Sequence, residues 1–137
     1  MVGKTITDSY SVEGQITLDQ VAEIAAAGFK SIVCNRPDNE EPGQTQFSAI
    51  ALTAKKYGMS AVHLPVITGN ITQDNVAAFT NMIADLPSPV FAYCRSGTRC
   101  TMLWSLMEKG RRPASDILQR AAKAGYDMSP MAAVLEP

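Results

Sequence analysis

The chain has 137 residues, 46% of them hydrophobic and 18% charged, and carries a net charge of −1 at pH 7. This length is typical of one domain with a single core, so we predict one domain over residues 1–137. The charge argues against nucleic-acid binding, and no apolar run approaches the ~18 residues that a membrane span needs. Because Met1 is not followed by an apolar leader, we expect a cytoplasmic protein.

Helix and strand signals alternate along the chain. Residues 4–16 have a weak strand pattern, and Thr17 with Gln20 forms a capping-box pattern that starts the first helix. Four helix-favouring segments run into a glycine, which suits the residue just past a helix end; these are Gly28, Gly58, Gly110 and Gly125. A further helix is predicted over residues 72–86. Short apolar runs predict buried strands over residues 29–34, 61–66 and 90–93.

This alternation predicts an α/β fold. We expect one three-layer domain with a central, mostly parallel sheet of four to five strands, flanked by helices. Functional sites in such sheets lie beyond the carboxyl ends of the strands. The segments that follow the predicted strands are therefore the candidates, and they are residues 35–41, 67–70 and 94–99.

The most informative segment follows the last predicted strand and has the sequence Cys94-Arg95-Ser96-Gly97-Thr98-Arg99. A loop of this kind, placed at a helix start, directs its backbone N–H groups and the helix dipole at an anion. The same field lowers the pKa of Cys94 and makes it a nucleophile, while Arg99 offers a fork of donors. Gly97 permits the turn, Ser96 and Thr98 supply amides and hydroxyls, and Arg95 either joins the anion site or faces solvent.

Two further residues are candidates beside this loop. Cys34 ends a predicted strand and is either a core residue or a resolving thiol for oxidised Cys94. Asp38 is the best-placed general acid, although such charged loops are usually solvated. Three irregularly spaced cysteines and one histidine match neither a disulfide framework nor a metal site. We therefore predict no metal and no organic cofactor.

The chain resembles a bacterial family of beta-lactamase hydrolase-like, phosphatase-like domains over about residues 8–127. The shared landmarks are residues 31–38, 40–44, 63–66 and 93–99. The resemblance implies a dual-specificity or tyrosine phosphatase-like fold. Members also occur fused to persulfide-dioxygenase-like domains, which implies a possible partner of that kind.

The spacing of the loop distinguishes two enzymatic hypotheses. Four residues separate Cys94 from Arg99, as in the rhodanese sulfurtransferases that the loop resembles, whereas tyrosine and dual-specificity phosphatases have five. Because the shorter loop makes a smaller cradle, we favour transfer of sulfane sulfur from thiosulfate or a persulfide through a persulfide on Cys94. The alternative is hydrolysis of a phosphomonoester through a phosphocysteine, with Asp38 or water as the acid. A second alternative is a non-catalytic module that senses sulfur species or phosphate.

Overall fold

The computed structural model describes residues 2–137. Within that range the strands are β1 Lys4–Thr7, β2 Tyr10–Glu13, β3 Ser31–Cys34, β4 Ser60–His63 and β5 Val90–Tyr93. The helices are α1 Leu18–Ala26, α2 Phe47–Lys56, α3 Gln73–Asp85, α4 Thr98–Glu108, α5 Ala114–Lys123 and α6 Ala132–Leu135, with a 3₁₀ turn at Ser129–Met131 before α6. The predicted α/β class, with its mostly parallel sheet, is confirmed.

The five strands form one sheet in the order β1-β2-β5-β3-β4. Only β1 pairs antiparallel, and β2, β5, β3 and β4 run parallel. The weak pattern over residues 4–16 corresponds to β1 and β2. Tyr93 pairs with Glu13 on one side and with Cys34 on the other, so three strands end in one row. The loop that begins at Cys94 therefore leaves the middle of the sheet.

Helices cover both faces of the sheet, because buried strand residues alternate between two cores. Ile32 and Phe91 pack with α1 and α2 on one face. Val33 and Ala92 pack with α3 to α6 on the other face, where Trp104 is the largest buried side chain. A strand covered on both faces needs apolar residues throughout, which explains the short continuous runs in the sequence.

The capping motifs and glycines in the sequence predict most helix ends correctly. Thr17 and Gln20 form the expected capping box of α1, and Thr72 with Asn75 forms a second one at the start of α3. The four glycines predicted to follow helices all have positive φ, between 76° and 100°. No helix among residues 2–137 is both long and apolar enough to cross a membrane.

Candidate active site

Cys94 lies at the carboxyl end of β5, the central strand of the sheet. Its backbone N–H donates to the carbonyl of Glu13 at 3.3 Å, which extends the β2–β5 ladder by one residue. The side chain is 1% exposed. The thiol is therefore fixed by the sheet and shielded from bulk water.

Gly97 turns the loop from β5 into α4. It adopts the left-handed conformation, with φ 95° and ψ −10°, and it caps the N-terminus of α4. Its N–H donates to Sγ of Cys94 at 3.1 Å. The carbonyl of Gly97 accepts the N–H of Thr101 at 3.0 Å, so the helix begins directly beneath the sulfur.

The carbonyls of the loop are held by neighbouring segments. Arg95 O accepts the N–H of Gln15 at 3.2 Å, and Ser96 O accepts the hydroxyl of Tyr126 at 2.9 Å. Gly14 makes the first contact possible, since a Cβ there would lie 2.8 Å from Arg95 O. With its carbonyls engaged by these partners, the loop offers its N–H groups to the thiol.

The surroundings lower the pKa of Cys94 to about 5. The largest cause is the hydrogen bond from the thiol of Cys100, and the backbone N–H groups of Cys100, Ser96 and Gly97 add to it against the opposing effect of burial. Burial raises the pKa of Cys100 well above its usual range, so this thiol stays protonated and can donate. Cys94 is consequently a thiolate at neutral pH and has the character of a nucleophile.

Arg99 is oriented by Glu40 from the loop after β3. The guanidinium forms a fork with the carboxylate, with Nη1 2.9 Å from Oε2 and Nη2 2.7 Å from Oε1, and Nη1 also donates to Val66 O at 2.9 Å. A guanidinium has five N–H donors. Within the described chain these bonds leave Nε–H and one Nη2 hydrogen of Arg99 for an incoming anion.

Glu40 is itself held by a second arginine. Arg36 is fully buried, and its Nε donates to Glu40 Oε1 at 2.8 Å while Nη2 donates to Glu41 at 2.8 Å and Nη1 to Gln15 at 2.9 Å. Hydrogen bonds from Arg99 are the largest cause that lowers the pKa of Glu40 to about 2, and Arg36 adds to it. The carboxylate therefore stays ionised and fixes Arg99 beside the loop.

A cleft of about 500 Å³ borders the loop and Arg99. Its lining residues are Thr68, Arg95, Ser96, Thr98, Arg99 and Met102. Four of the six residues of the predicted loop line this cleft, whereas Cys94 and Gly97 do not. Arg95 points outward, with 69% of its side chain exposed and its Nη2 3.8 Å from Glu41 Oε2. The hydroxyl of Ser96 donates to that of Thr98 at 3.0 Å on the exposed side of the loop.

Comparison with known proteins shows the family. The model of a family described as "Beta-lactamase hydrolase-like protein, phosphatase-like domain" matches residues 3–111. The chain belongs to this family. A beta-lactamase hydrolase-like protein of Agrobacterium fabrum is 36% identical over 125 residues, which cover 90% of this chain and 29% of that protein. The chain thus spans less than a third of the length of this curated relative.

Solved structures agree on the fold. A protein from Neisseria meningitidis, described as a candidate phosphatase, has a TM-score of 0.89 and 33% identity over 98% of this chain and 96% of its own. The structure named Tk-PTP, in its active form, has a TM-score of 0.74 at 15% identity, covering 97% of this chain and 92% of its own. The likeness to Tk-PTP shows the fold alone. The expected phosphatase-like fold of this beta-lactamase hydrolase-like domain is confirmed.

The remaining predicted residues of this family member lie beside the loop and have their own contacts. Asp38 accepts the N–H of Phe47 at 2.9 Å and so holds the start of α2. Sγ of Cys34 donates to Arg36 O at 3.2 Å, and burial raises the pKa of this thiol. A general-acid role for Asp38 and a resolving role for Cys34 stay predictions.

Sequence reasoning missed the residues that support Cys94 and Arg99. Neither Glu40 nor Cys100 is among the site residues that the sequence predicts. Glu40 forms the fork on Arg99, and the Cys100 thiol is the largest cause that lowers the pKa of Cys94. A usable signal for Cys100 was its place in the first turn of the helix after the loop, whereas nothing in the sequence links Tyr126 to Ser96.

Proposed function

We propose that this domain is a cysteine-dependent phosphatase, which hydrolyses monosubstituted phosphates through a phosphocysteine on Cys94. The proposal rests on one arrangement. Backbone N–H groups of the loop point at the Cys94 thiolate, and Glu40 holds Arg99 beside it. The phosphatase-like family and fold support this choice over the sulfur transfer that the loop length favours.

In the first step the Cys94 thiolate attacks phosphorus, the S–P bond forms, and the P–O bond to the leaving group breaks. Loop N–H groups and the two remaining donors of Arg99 bind the phosphoryl oxygens, whose charge they stabilise in the transition state. Water then attacks phosphorus, releases a proton to solvent and restores the thiolate. Neither step needs a cofactor.

Steady-state hydrolysis of 4-nitrophenyl phosphate tests the proposal. We expect Cys94→Ser to abolish turnover, because a hydroxyl is a poor nucleophile without a base beside it. Arg99→Lys should lower kcat/KM about 10²-fold or more, since an ammonium lacks the planar fork that meets both Glu40 and phosphate. Arg111→Lys, at an exposed site on the turn after α4, is the matched control and should match wild type.

Sulfur transfer remains a second candidate on one observation, the four-residue spacing between Cys94 and Arg99. Mass spectrometry of the intact protein separates the two reactions. A phosphoryl adduct on wild type after an acid quench supports the phosphatase. A single added sulfur after thiosulfate, removed by cyanide and absent in Cys94→Ser, would instead support the sulfurtransferase and a persulfide-handling partner. Anion binding without either adduct or any turnover would indicate a sensing module.

A further inference from the structure

The carboxyl groups of the loop after β3 are all engaged, which bears on how a leaving group could be protonated. Both oxygens of Glu40 accept from Arg99, and one also accepts from Arg36. Glu41 accepts from Arg36 at 2.8 Å, and this arginine lowers its pKa. Ionised carboxylates held in this way cannot donate a proton at neutral pH.

Asp38 has a structural position as well. Its Oδ1 accepts the N–H of Phe47 at 2.9 Å, and the side-chain amide of Gln46, turned with its nitrogen toward the carboxylate, reaches both oxygens at 3.1 and 3.2 Å. These bonds engage both carboxylate oxygens and keep Asp38 at the start of α2.

The other proton donors near the loop are also occupied. His63 Nε2 lies 2.7 Å from Arg36 O, and its ring stacks on Phe47 with 4.7 Å between centroids. The hydroxyl of Tyr126 donates to Ser96 O from beneath the loop, and burial raises the pKa of this tyrosine to about 12. Among residues 2–137, none of these groups is placed to protonate a leaving oxygen in the cleft.

The rim of the cleft carries a positive charge instead of an acid. Arg95 is 69% exposed and lies 3.8 Å from Glu41, a distance beyond hydrogen bonding, and it lines the same cleft as Arg99. A guanidinium in this place can bind an anion on the far side of the scissile bond. The charge therefore suits a leaving group that departs as an anion.

We propose that the site acts on phosphates whose leaving group is a weakly basic anion, namely acyl phosphates or phosphoanhydrides, and that Arg95 binds this leaving group. The inference rests on the proposed phosphatase function and narrows its substrate class. Cys94 attacks phosphorus, the P–O bond breaks, and the leaving oxygen keeps the electron pair and departs as a carboxylate or phosphate. No proton is transferred, so no general acid is required.

A series of four substrates tests this proposal on the whole chain. The substrates are acetyl phosphate, 4-nitrophenyl phosphate, phenyl phosphate and glycerol 3-phosphate. Because a general acid contributes about 10²- to 10⁴-fold, its absence should make kcat/KM for phenyl phosphate at least about 10²-fold lower than for 4-nitrophenyl phosphate. Acetyl phosphate should react and glycerol 3-phosphate should not. Equal rates for the two aryl esters would overturn the inference while leaving the phosphatase function intact, whereas no reaction with any substrate would overturn both.

Two variants examine the assigned residues separately. Arg95→Ala should lower kcat/KM for acetyl phosphate by a larger factor than for phenyl phosphate, because a leaving carboxylate offers the guanidinium two oxygens and a phenolate offers one. Arg111→Ala removes the same charge from an exposed site outside the cleft and should leave both values as in wild type. An equal loss on both substrates in Arg95→Ala would overturn the role given to Arg95.

Asp38→Asn keeps an oxygen that can accept the N–H of Phe47, but it removes the carboxyl proton that a general acid would donate. We expect the ratio of the rates for phenyl and 4-nitrophenyl phosphate to stay as in wild type. If the variant slows phenyl phosphate selectively, Asp38 is a general acid and the inference is wrong.

Discussion

Cys94 owes its nucleophilic character to one neighbouring residue more than to any other. The thiol of Cys100 donates to it from the first turn of α4, and Gly97 adds a backbone N–H at 3.1 Å. Burial acts in the opposite direction, because it disfavours the charged sulfur. The hydrogen bonds prevail, and the pKa falls to about 5.

Replacing Cys100 tests this account directly. A hydrogen bond to a charged group contributes about 1.5–3 kcal/mol, so Cys100→Ala should raise the pKa of Cys94 by about one to two pH units. Cys100→Ser retains a donor and should restore a low value. Titration of the thiolate ultraviolet absorbance gives the midpoint, with Cys94→Ser as the blank. An unchanged midpoint in Cys100→Ala would assign the low pKa to the backbone N–H groups alone.

The start of α4 depends on a segment that is distant in sequence. Tyr126, which follows α5, donates to Ser96 O at 2.9 Å, and a Cβ on Gly97 would collide with its hydroxyl. Tyr10 from β2 similarly donates to Cys100 O at 2.9 Å. Two tyrosine hydroxyls thus fix the loop and the first turn of the helix from separate elements.

Tyr126→Phe should make the start of α4 less rigid without creating a cavity beneath the loop. The lost hydrogen bond leaves Ser96 O without its partner, and we expect the free energy of unfolding to fall by about 1 kcal/mol. We also expect kcat/KM for 4-nitrophenyl phosphate to fall several-fold, because the loop amides lose their fixed direction. Urea unfolding and steady-state kinetics measure the two effects. Tyr57→Phe is the control at a residue that is 52% exposed, and an equal loss there would refute the assignment.

At the scale of the whole molecule, Glu40 joins the loop after β3 to α4. It lies between Arg36, which is fully buried, and Arg99, which is 4% exposed. Buried cations lose their hydration and depend on a partner charge. Glu40 therefore supports the fold and the site at once.

This pairing predicts how stability depends on acid. The pKa of Glu40 falls from its ordinary 4.5 to about 2 in the folded chain, so its contribution is complete above pH 4.5 and is lost between pH 4.5 and 2. At pH 7, Glu40→Gln should lower the free energy of unfolding by about 1–2 kcal/mol, because the two arginines are buried but the Glu40 side chain is 26% exposed and its charge is partly screened. The free energy of unfolding of this variant should also change less than that of wild type between pH 4.5 and 2.

Urea unfolding at several pH values measures both effects. Glu23→Gln, at an exposed position of α1, provides the control and should follow the wild-type curve. If Glu40→Gln kept the acid dependence of wild type, the ion pairs of Glu40 would not govern it.

The α/β class, most helix ends and the loop that begins at Cys94 can be predicted from the sequence. These follow from local rules, since caps, positive-φ glycines and apolar runs act over a few residues. The sequence is less clear on β1 and β2, because four-residue strands near an edge carry little periodicity.

The surroundings of that loop depend on contacts between distant parts of the chain. Glu40, Arg36 and Tyr126 reach it from separate elements, and such contacts depend on how helices and loops pack at one edge of the sheet. The sequence shows that a reactive cysteine and an arginine are close along the chain. The fold adds which carboxylate orients the arginine, because that depends on a distance across the sheet edge. It also adds which thiol stabilises the Cys94 thiolate, because that depends on burial and on the turn into α4.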